Sequence, residues 1–478
     1  MFFGREDSIM QMSGLWRKRV SSLVTCRGRR RVGKSSLVRQ FAKESQSRFI
    51  KIEGARPAPK TTREDELRVF AQQLAAQTEC GDAVPSNWLN AFILLAGQIR
   101  DDERTVVLLD EISWLGHGEP MFADLFRIAW ENWLKPHDKL IVVLCGSVSS
   151  WVRENFIDNR AYVGRRSLDI VVGELPPREC AQFWGDAASR LTPREIIDVL
   201  SVTGGVPRYL EEVDPGLSAA DNIRRLAFLP KSVLRTDFDE MFSDVVTHQP
   251  KFAGLAARTL LDGPKSVSEI ASSLGAEKSG RVSAAMEELE EAGFVSSDPG
   301  MNPVTGEPLR CRRYRLKDNY ARFYLKFVEP AKDAIDAGSF LFSGMDQFAG
   351  WQPVMGLQFE NLAINNYRTL LPHLGLDKNL ILSAAPFRRV ASEKSRKKGV
   401  QIDFLIQTKM SFCLVEIKRQ REIGREVIDE MKGKVERFAA PKGVSVRTAL
   451  VYDGNLAPSV EADGYFAAVV PFRRLLGL

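Results

Sequence analysis

Eight residues near the amino end, Gly28-Arg29-Arg30-Arg31-Val32-Gly33-Lys34-Ser35, constrain this chain more than any other feature. They fit G-x-x-x-x-G-K-[ST], a loop whose backbone curls so that N–H groups and a helix N-terminus face a polyanion. Such a loop works only between a strand and a helix. Ser21 to Cys26 (SSLVTC) reads as a short buried strand entering it, and Ser35 to Glu44 (SSLVRQFAKE) as an amphipathic helix leaving it. In that setting Gly28 and Gly33 shape the turn and Lys34 reaches the β/γ-phosphates. The Ser35 hydroxyl ligates Mg²⁺, and Ser36 extends the nucleotide-facing set. The three arginines inside the loop are expected to point to solvent.

A second element reinforces the first. Thr105 to Leu109 (TVVLL) is an uninterrupted apolar run of strand length, as expected at the centre of a parallel sheet, and it ends in Asp110-Glu111. An Asp there holds the Mg²⁺ shell, and the adjacent Glu orients an attacking water. Leu140 to Leu144 (LIVVL) is another buried strand, ending in Cys145-Gly146-Ser147. Ligands of open parallel sheets sit beyond the carboxyl ends of the strands, which places Ser147 to sense the γ-phosphate. A plain turn residue is the equal alternative for Ser147 on spacing alone. The two acidic-strand and phosphate-loop signals together imply binding of ATP or GTP, with Glu111 pointing to hydrolysis.

The chain of 478 residues exceeds a single core, so several domains are expected. No run of about 18 apolar residues occurs, and the amino end turns charged at once, so a soluble, cytoplasmic protein without membrane contact is expected. Six scattered cysteines, no C-x-x-C and only four histidines argue against a zinc site and for reduced thiols. A net charge of +6 permits a polyanionic partner without requiring one.

The pattern along the chain divides it. Residues 1–170 alternate strands and helices, as in a nucleotide-binding domain, and 171–245 read as a helical lid broken at Gly204-Gly205-Val206-Pro207-Arg208. Residues 246–320 carry three helix-like segments, a Gly/Pro turn near Pro303 and a basic extended stretch, the outline of a winged helix-turn-helix. A linker helix over 321–350 leads to a compact α/β domain at 351–478.

That last domain holds a second chemical centre. Asp403 lies in the strand Val400-Gln401-Ile402-Asp403-Phe404, and Glu416-Ile417-Lys418 ends the next strand. Glu416 and Lys418, two apart, share a face, and a hairpin sets Asp403 beside them. Two carboxylates that close bind Mg²⁺ or Mn²⁺, and a neighbouring ammonium positions an attacking water; this is the chemistry of phosphodiester cleavage. Glu360, on an incoming helix, is a candidate further ligand. Arg388, Arg389, Lys394, Arg396, Lys397 and Lys398 precede the centre and suit backbone phosphates. An exposed, salt-bridged sheet edge is the structural alternative.

Taken in order, Phe3-Gly4-Arg5-Glu6, GRRRVGKS, LLDE, LCGS and Gly204-Gly205-Val206-Pro207 resemble the archaeal-type ATPase family, a branch of the AAA+/STAND-like P-loop NTPases. The resemblance implies a multidomain α/β fold. It would comprise a parallel-sheet P-loop NTPase domain with helical lid, a winged helix-turn-helix, and a C-terminal α/β restriction-endonuclease-like domain of PD-(D/E)XK type. It further implies that Phe3, Gly4 and Arg5 lie against the adenine, that Ser147 is the polar sensor, and that Pro207 lies in the lid near the base. Arg165 and Arg166 would contact the γ-phosphate in cis or from a neighbour. The nuclease motif is matched by Asp403, Glu416, Lys418 and Glu360. The wing arginines (Arg310, Arg312, Arg313, Arg315) are better DNA candidates than the helix carrying Lys278 and Arg281, where Glu287, Glu288, Glu290 and Glu291 repel phosphate.

The expected function is therefore an ATPase, with ATP and Mg²⁺ as cofactors, that controls a Mg²⁺-dependent nuclease acting on DNA, possible as a homo-oligomer. The alternatives are an ATP-dependent signalling or assembly switch, or a DNA-binding regulator, with a non-cleaving C-terminal domain.

Overall fold

The computed structural model describes residues 2–147, 149–245, 249–276, 279–302, 308–389 and 398–477. Lys278, Pro303, Lys394, Arg396 and Lys397 lie outside the described residues. The chain forms two compact units, Met1–Leu175 and Pro176–Leu478.

The first unit is built on five strands: β1 (Ser22–Arg27), β2 (Arg48–Glu53), β3 (Thr105–Asp110), β4 (Leu140–Gly146) and β5 (Arg166–Val171). They are all parallel, in the order β2-β3-β4-β1-β5. β3 and β4 are buried along their whole length, which explains their unbroken apolar sequence. Alternation within each strand feeds two cores. Leu23, Val107, Leu109, Val142 and Leu144 pack on one face with Phe70, Trp88, Phe92 and Phe126. Val24, Val106, Leu108, Ile141 and Val143 pack on the other with Met12, Leu37, Val38 and Phe41. Helices on both faces leave the carboxyl ends of the strands as the open edge, where Gly28 and Ser147 follow β1 and β4 and Asp110 ends β3.

In the second unit, helix Pro177–Gln182 is followed by helices Pro193–Thr203, Ala219–Ala227 and Val233–Val245. Helices Pro250–Arg258, Val267–Leu274 and Ser279–Glu291 follow, with a three-stranded antiparallel sheet of β6 (Lys265–Ser266), β7 (Val295–Met301) and β8 (Pro308–Leu316) in the order β6-β8-β7. Helix Trp351–Asn365 precedes a second sheet of β9 (Ile381–Arg389), β10 (Val400–Thr408), β11 (Ser411–Ile423), β12 (Ser445–Leu456) and β13 (Ala468–Pro471). Its order is β13-β12-β11-β10-β9. The β9-β10-β11 part is antiparallel, whereas β11, β12 and β13 run parallel. Helix Glu426–Phe438 crosses between β11 and β12 and buries Val427, Ile428, Met431 and Phe438 against the sheet. Among the described residues no helix is long and apolar enough to cross a membrane.

Candidate functional site

The phosphate loop takes the shape its glycines allow. Gly28 has φ +150°, and a Cβ there would lie 2.2 Å from the Val172 carbonyl oxygen. Gly33, at φ 86°, opens helix Lys34–Glu44. The Lys34 ammonium is buried in the curl and donates to the carbonyls of Gly28 (2.9 Å) and Arg29 (3.0 Å). It is thus held at the loop's concave centre, where a triphosphate would exchange these carbonyls for phosphate oxygens. Ser36, next after Ser35, is exposed.

Ser35 and Asp110 converge. The Ser35 hydroxyl donates to Asp110 Oδ2 at 2.6 Å, and Asp110 is 3 % exposed. A hydroxyl and a buried carboxylate in contact form a hard oxygen donor pair that fits Mg²⁺. The same carboxylate takes an ion pair from Lys51 on β2 (3.0 Å), which also holds Glu53 (2.5 Å). Lys51 was not singled out from the sequence. Its signal is a lysine on a strand paired directly with the acidic strand, with Glu53 opposite Asp110 in the ladder. Glu111 adopts a left-handed conformation (φ 46°) and accepts hydrogen bonds from the Ser147 hydroxyl (2.7 Å) and backbone N–H (3.3 Å). Ser147 is therefore joined to Glu111.

The amino-terminal segment is fastened to this loop. Gly4 and Arg5 both have positive φ, and the Arg5 guanidinium donates to the carbonyls of Val32 (3.2 Å), Gly173 (2.6 Å) and Glu174 (3.3 Å). Phe3 and Gly4 are thereby carried next to the phosphate loop. The loop arginines correct the expectation of solvent exposure. Arg29 is buried with Glu174 at 3.6 Å, and Arg30 stacks over Trp114 at 5.2 Å. Their long apolar stems and weakly hydrated heads favour such sites.

Arg165 and Arg166 require a second correction. They stand at the amino-terminal end of β5, where Arg166 pairs with Leu23, while the phosphate loop leaves the opposite end of β1. At about 3.3 Å per residue the intervening strand spans roughly 13 Å. Arg165 is held by Glu131 (2.6 Å) and the Ala161 carbonyl, and Arg166 by the Phe156 carbonyl. A γ-phosphate contact within the same chain does not fit this placement. Pro207 belongs to the second unit, where it opens the short helix Pro207–Leu210.

In the second unit the hairpin gathers the acidic centre. Asp403 Oδ2 accepts the backbone N–H of Ile417 at 2.9 Å, which sets it beside Glu416, itself 1 % exposed. Lys418 lies 3.2 Å from Glu416 and 2.7 Å from Glu430. Burial opposes a charge on Lys418, but its hydrogen bonds to Glu430 and Glu416 prevail and hold its pKa above the usual value. Lys434 was missed by sequence reasoning. Its ammonium bridges Glu416 (2.5 Å) and Asp403 (3.6 Å) and sits where the two carboxylates converge. The available signal was a lysine on the buried stripe of a helix, at i+3 from Met431 and i−4 from Phe438.

Burial, and then the neighbouring Glu416, pushes the Asp403 carboxyl up to about 6. Burial, and then Asp403, pushes Glu360 up to about 8, although Arg322 and Arg315 oppose the shift. Glu360 is thus within electrostatic reach of the pair. Even so, no three His, Cys, Asp or Glu side chains among the described residues are gathered closely enough to hold a metal as they stand. Asp403 and Glu416 are oxygen donors of the kind that hard divalent ions take, and Lys434 lies between them.

Two basic features are less available than expected. Arg315 is buried, tied to Asp298 at 3.0 Å and to Asn361, and Arg313 is paired with Glu269 at 2.8 Å. Both serve the fold, and of the wing arginines expected to meet DNA, Arg312 is exposed.

Residues 2–213 match the family described as an ATPase domain predominantly from Archaea. An uncharacterized protein of Methanocaldococcus jannaschii is 22% identical over 370 residues, covering 76% of each chain. Among solved structures, a Walker-type ATPase of Pyrococcus abyssi is 17% identical with a TM-score of 0.49, covering 68% of this chain and 96% of its own. The ORC2 protein of Aeropyrum pernix, in ADPNP–ADP complexes, is 14% identical with a TM-score of 0.44, covering 70% and 94%. Residues 2–213 are thus similar to an ATPase domain of archaeal type, and the first unit carries a five-stranded parallel sheet with a phosphate-loop sequence at the carboxyl end of β1.

Proposed function

We propose that the protein is an ATP-binding and ATP-hydrolysing switch whose nucleotide state controls a Mg²⁺-dependent nuclease acting on DNA. The observation that carries the ATPase half is the convergence of Lys34, Ser35, Asp110 and the Glu111–Ser147 pair on one sheet edge. Lys34 would neutralise the β/γ-phosphates, and Ser35 with Asp110 would hold the Mg²⁺ that offsets charge on the transferring group. Glu111, oriented by Ser147, would align the attacking water. Phe3, Gly4 and Arg5 would lie against the adenine. Arg165 and Arg166, remote from the phosphates of their own chain, would serve those of a neighbour, so a homo-oligomer is part of the proposal.

For the second half we read residues 246–320 as a winged helix and 351–478 as a PD-(D/E)XK-like domain. The support is the meeting of Asp403, Glu416 and Lys418 on a hairpin backed by two parallel strands. Asp403 and Glu416, with Glu360 near, would hold the metal, which supplies a polarised phosphodiester and a more acidic water when bound. Lys418 would position that water. The test is separable. Lys34→Ala should abolish ATP turnover, and Lys418→Ala should abolish Mn²⁺- or Mg²⁺-dependent DNA cleavage while leaving nucleotide binding intact. If the purified protein cuts neither DNA nor RNA with metal and ATP, the nuclease half is wrong. A second reading, a signalling or assembly switch with a non-cleaving C-terminal domain, draws on Lys434 already occupying the cation position. It predicts ATP-dependent oligomerisation and no metal binding at Asp403 and Glu416.

A further inference from the structure

The second unit contains a cleft of about 910 Å³ that the acidic centre does not explain. It opens at the carboxyl ends of the parallel strands β11, β12 and β13, the edge at which open α/β sheets present ligands. Four arginines line it: Arg194, Arg419, Arg421 and Arg473. The cleft is distinct from the acidic centre because successive strand residues face opposite ways. Lys418 pairs with Glu430 on helix Glu426–Phe438, whereas Arg419 pairs with Asp198 on helix Pro193–Thr203.

The arginines divide into a floor and a rim. Arg419 is buried between Asp198 and Asp453, 3.5 Å from the latter. Its Nε faces Asp453 Oδ2 across that gap, so the floor is an ion-paired guanidinium whose charge the two carboxylates already match. Arg421 and Arg473 are exposed. Arg194, also largely exposed, stands 3.9 Å from Asp453, too far for a tight pair. Gly454 sets the mouth. At φ +137°, its Cβ would fall 1.7 Å from the Gln420 carbonyl oxygen, so only glycine lets β12 run this close to β11 beside Arg421. Against the four guanidinium groups the lining offers two carboxylates, Asp453 and Glu461.

We propose that this cleft is a binding site for a phosphodiester, held by the rim guanidinium groups of Arg194, Arg421 and Arg473 over the Arg419 floor. Planar forks that are always charged suit phosphate oxygens, and the volume lies near the upper end of small-ligand pockets, enough for two or more nucleotides. The phosphodiester belongs to a nucleic-acid strand or to a free short oligonucleotide, and the experiment separates these. Fluorescence anisotropy would be measured with a labelled 12-nucleotide single strand and, separately, a labelled dinucleotide. Both arms use EDTA, so the result does not depend on cleavage at the acidic centre.

The combined Arg194→Ala, Arg421→Ala, Arg473→Ala variant should bind at least one probe about tenfold or more weakly. For the strand, the slope of log K against log salt should fall by about 2, at roughly 0.7 per lost contact. Loss for the strand alone assigns nucleic acid, and loss for the dinucleotide assigns a free ligand. Replacing the same three residues with lysine should restore part of the strand affinity, and a thermal melt within a few degrees of wild type shows that the rim variants fold. Unchanged affinity for both probes, or no binding of either by wild type, overturns the proposal.

Discussion

Replacing Lys434 with methionine is the sharpest perturbation of the acidic centre. The substitution keeps the aliphatic stem but deletes the ammonium that joins Glu416 to Asp403. Glu416 is 1 % exposed, so water cannot take over its solvation. Removing one partner of a buried pair costs about 3–5 kcal/mol, because the other charge is left uncompensated. Lys418 stays 3.2 Å from the second oxygen of Glu416, which places the expected loss near the low end, about 3 kcal/mol. For a unit of this size that corresponds to roughly 6–12 °C in Tm. Thermal and urea melts in EDTA measure it. Manganese should then act in the opposite sense. A divalent ion entering the vacated position needs no ammonium to leave, so Lys434→Met should gain more stability from Mn²⁺ than wild type does. At a hundredfold excess over Kd that gain approaches about 2.7 kcal/mol. A variant that melts with wild type in EDTA, or that shows no additional response to Mn²⁺, would refute the view that Lys434 stands in for a cation.

Four further outcomes are expected. Glu111→Gln should lower ATP turnover by about 10²–10⁴-fold with nucleotide affinity retained, measured by steady-state hydrolysis and equilibrium binding; equal losses in both would make Glu111 structural. Gly28→Ala should destabilise the first unit and weaken nucleotide binding, since its Cβ would strike the Val172 carbonyl, and a normal melt with normal binding would contradict the loop geometry. If Arg165 acts between subunits, mixing Lys34→Ala with Arg165→Ala protein should recover ATPase activity that neither shows alone, and no recovery would remove the trans role. The raised carboxyls at Glu360 (about 8) and Asp403 (about 6) favour the protonated, metal-free fold. Their contribution is complete below the ordinary carboxyl range near 4 and is lost as pH climbs through about 6 and then about 8, while Mn²⁺ affinity rises over the same interval. Melts and titrations at pH 5.5, 7 and 8.5 check this, and a flat profile in both would count against it.

The residues that were legible in the sequence were those whose physics is local. The glycines of the phosphate loop, the apolar runs of β3 and β4 and the acids ending them follow from turn geometry and from burial on both faces, which act within a few residues. Asp403, Glu416 and Lys418 were legible because two-residue alternation and a hairpin fix their neighbourhood. β2 and β13 escaped notice. Arg48–Glu53 carries three charges in six residues, and Ala468–Pro471 is only four residues long. The cations were the harder class to place. Arg29 and Arg30 were expected in solvent, Arg315 against DNA, and Lys51 was not singled out, yet each finds a partner or ring that is remote in sequence.

Lys51 and Lys434 pose the same physical problem in two unrelated sheets. Each places an ammonium on carboxylates assigned to a divalent ion: Asp110 in one unit, Asp403 and Glu416 in the other. A buried carboxylate without a counter-charge is costly, and in each sheet a lysine supplies that counter-charge in the metal-free fold. The arrangement carries a cost in affinity, because the entering ion must displace a paired lysine. The two sites differ in how open that exchange is. The Lys51 pair with Asp110 is partly exposed and shares its lysine with Glu53, whereas Lys434 is held by two buried acids at once. Mg²⁺ should therefore enter the ATPase site more readily than the acidic centre of the second unit. Parallel titrations of Lys51→Met and Lys434→Met with Mn²⁺ should show the larger gain in affinity for Lys434→Met. The reverse ranking would mean that burial of the carboxylates, and not competition from lysine, sets metal affinity in this protein.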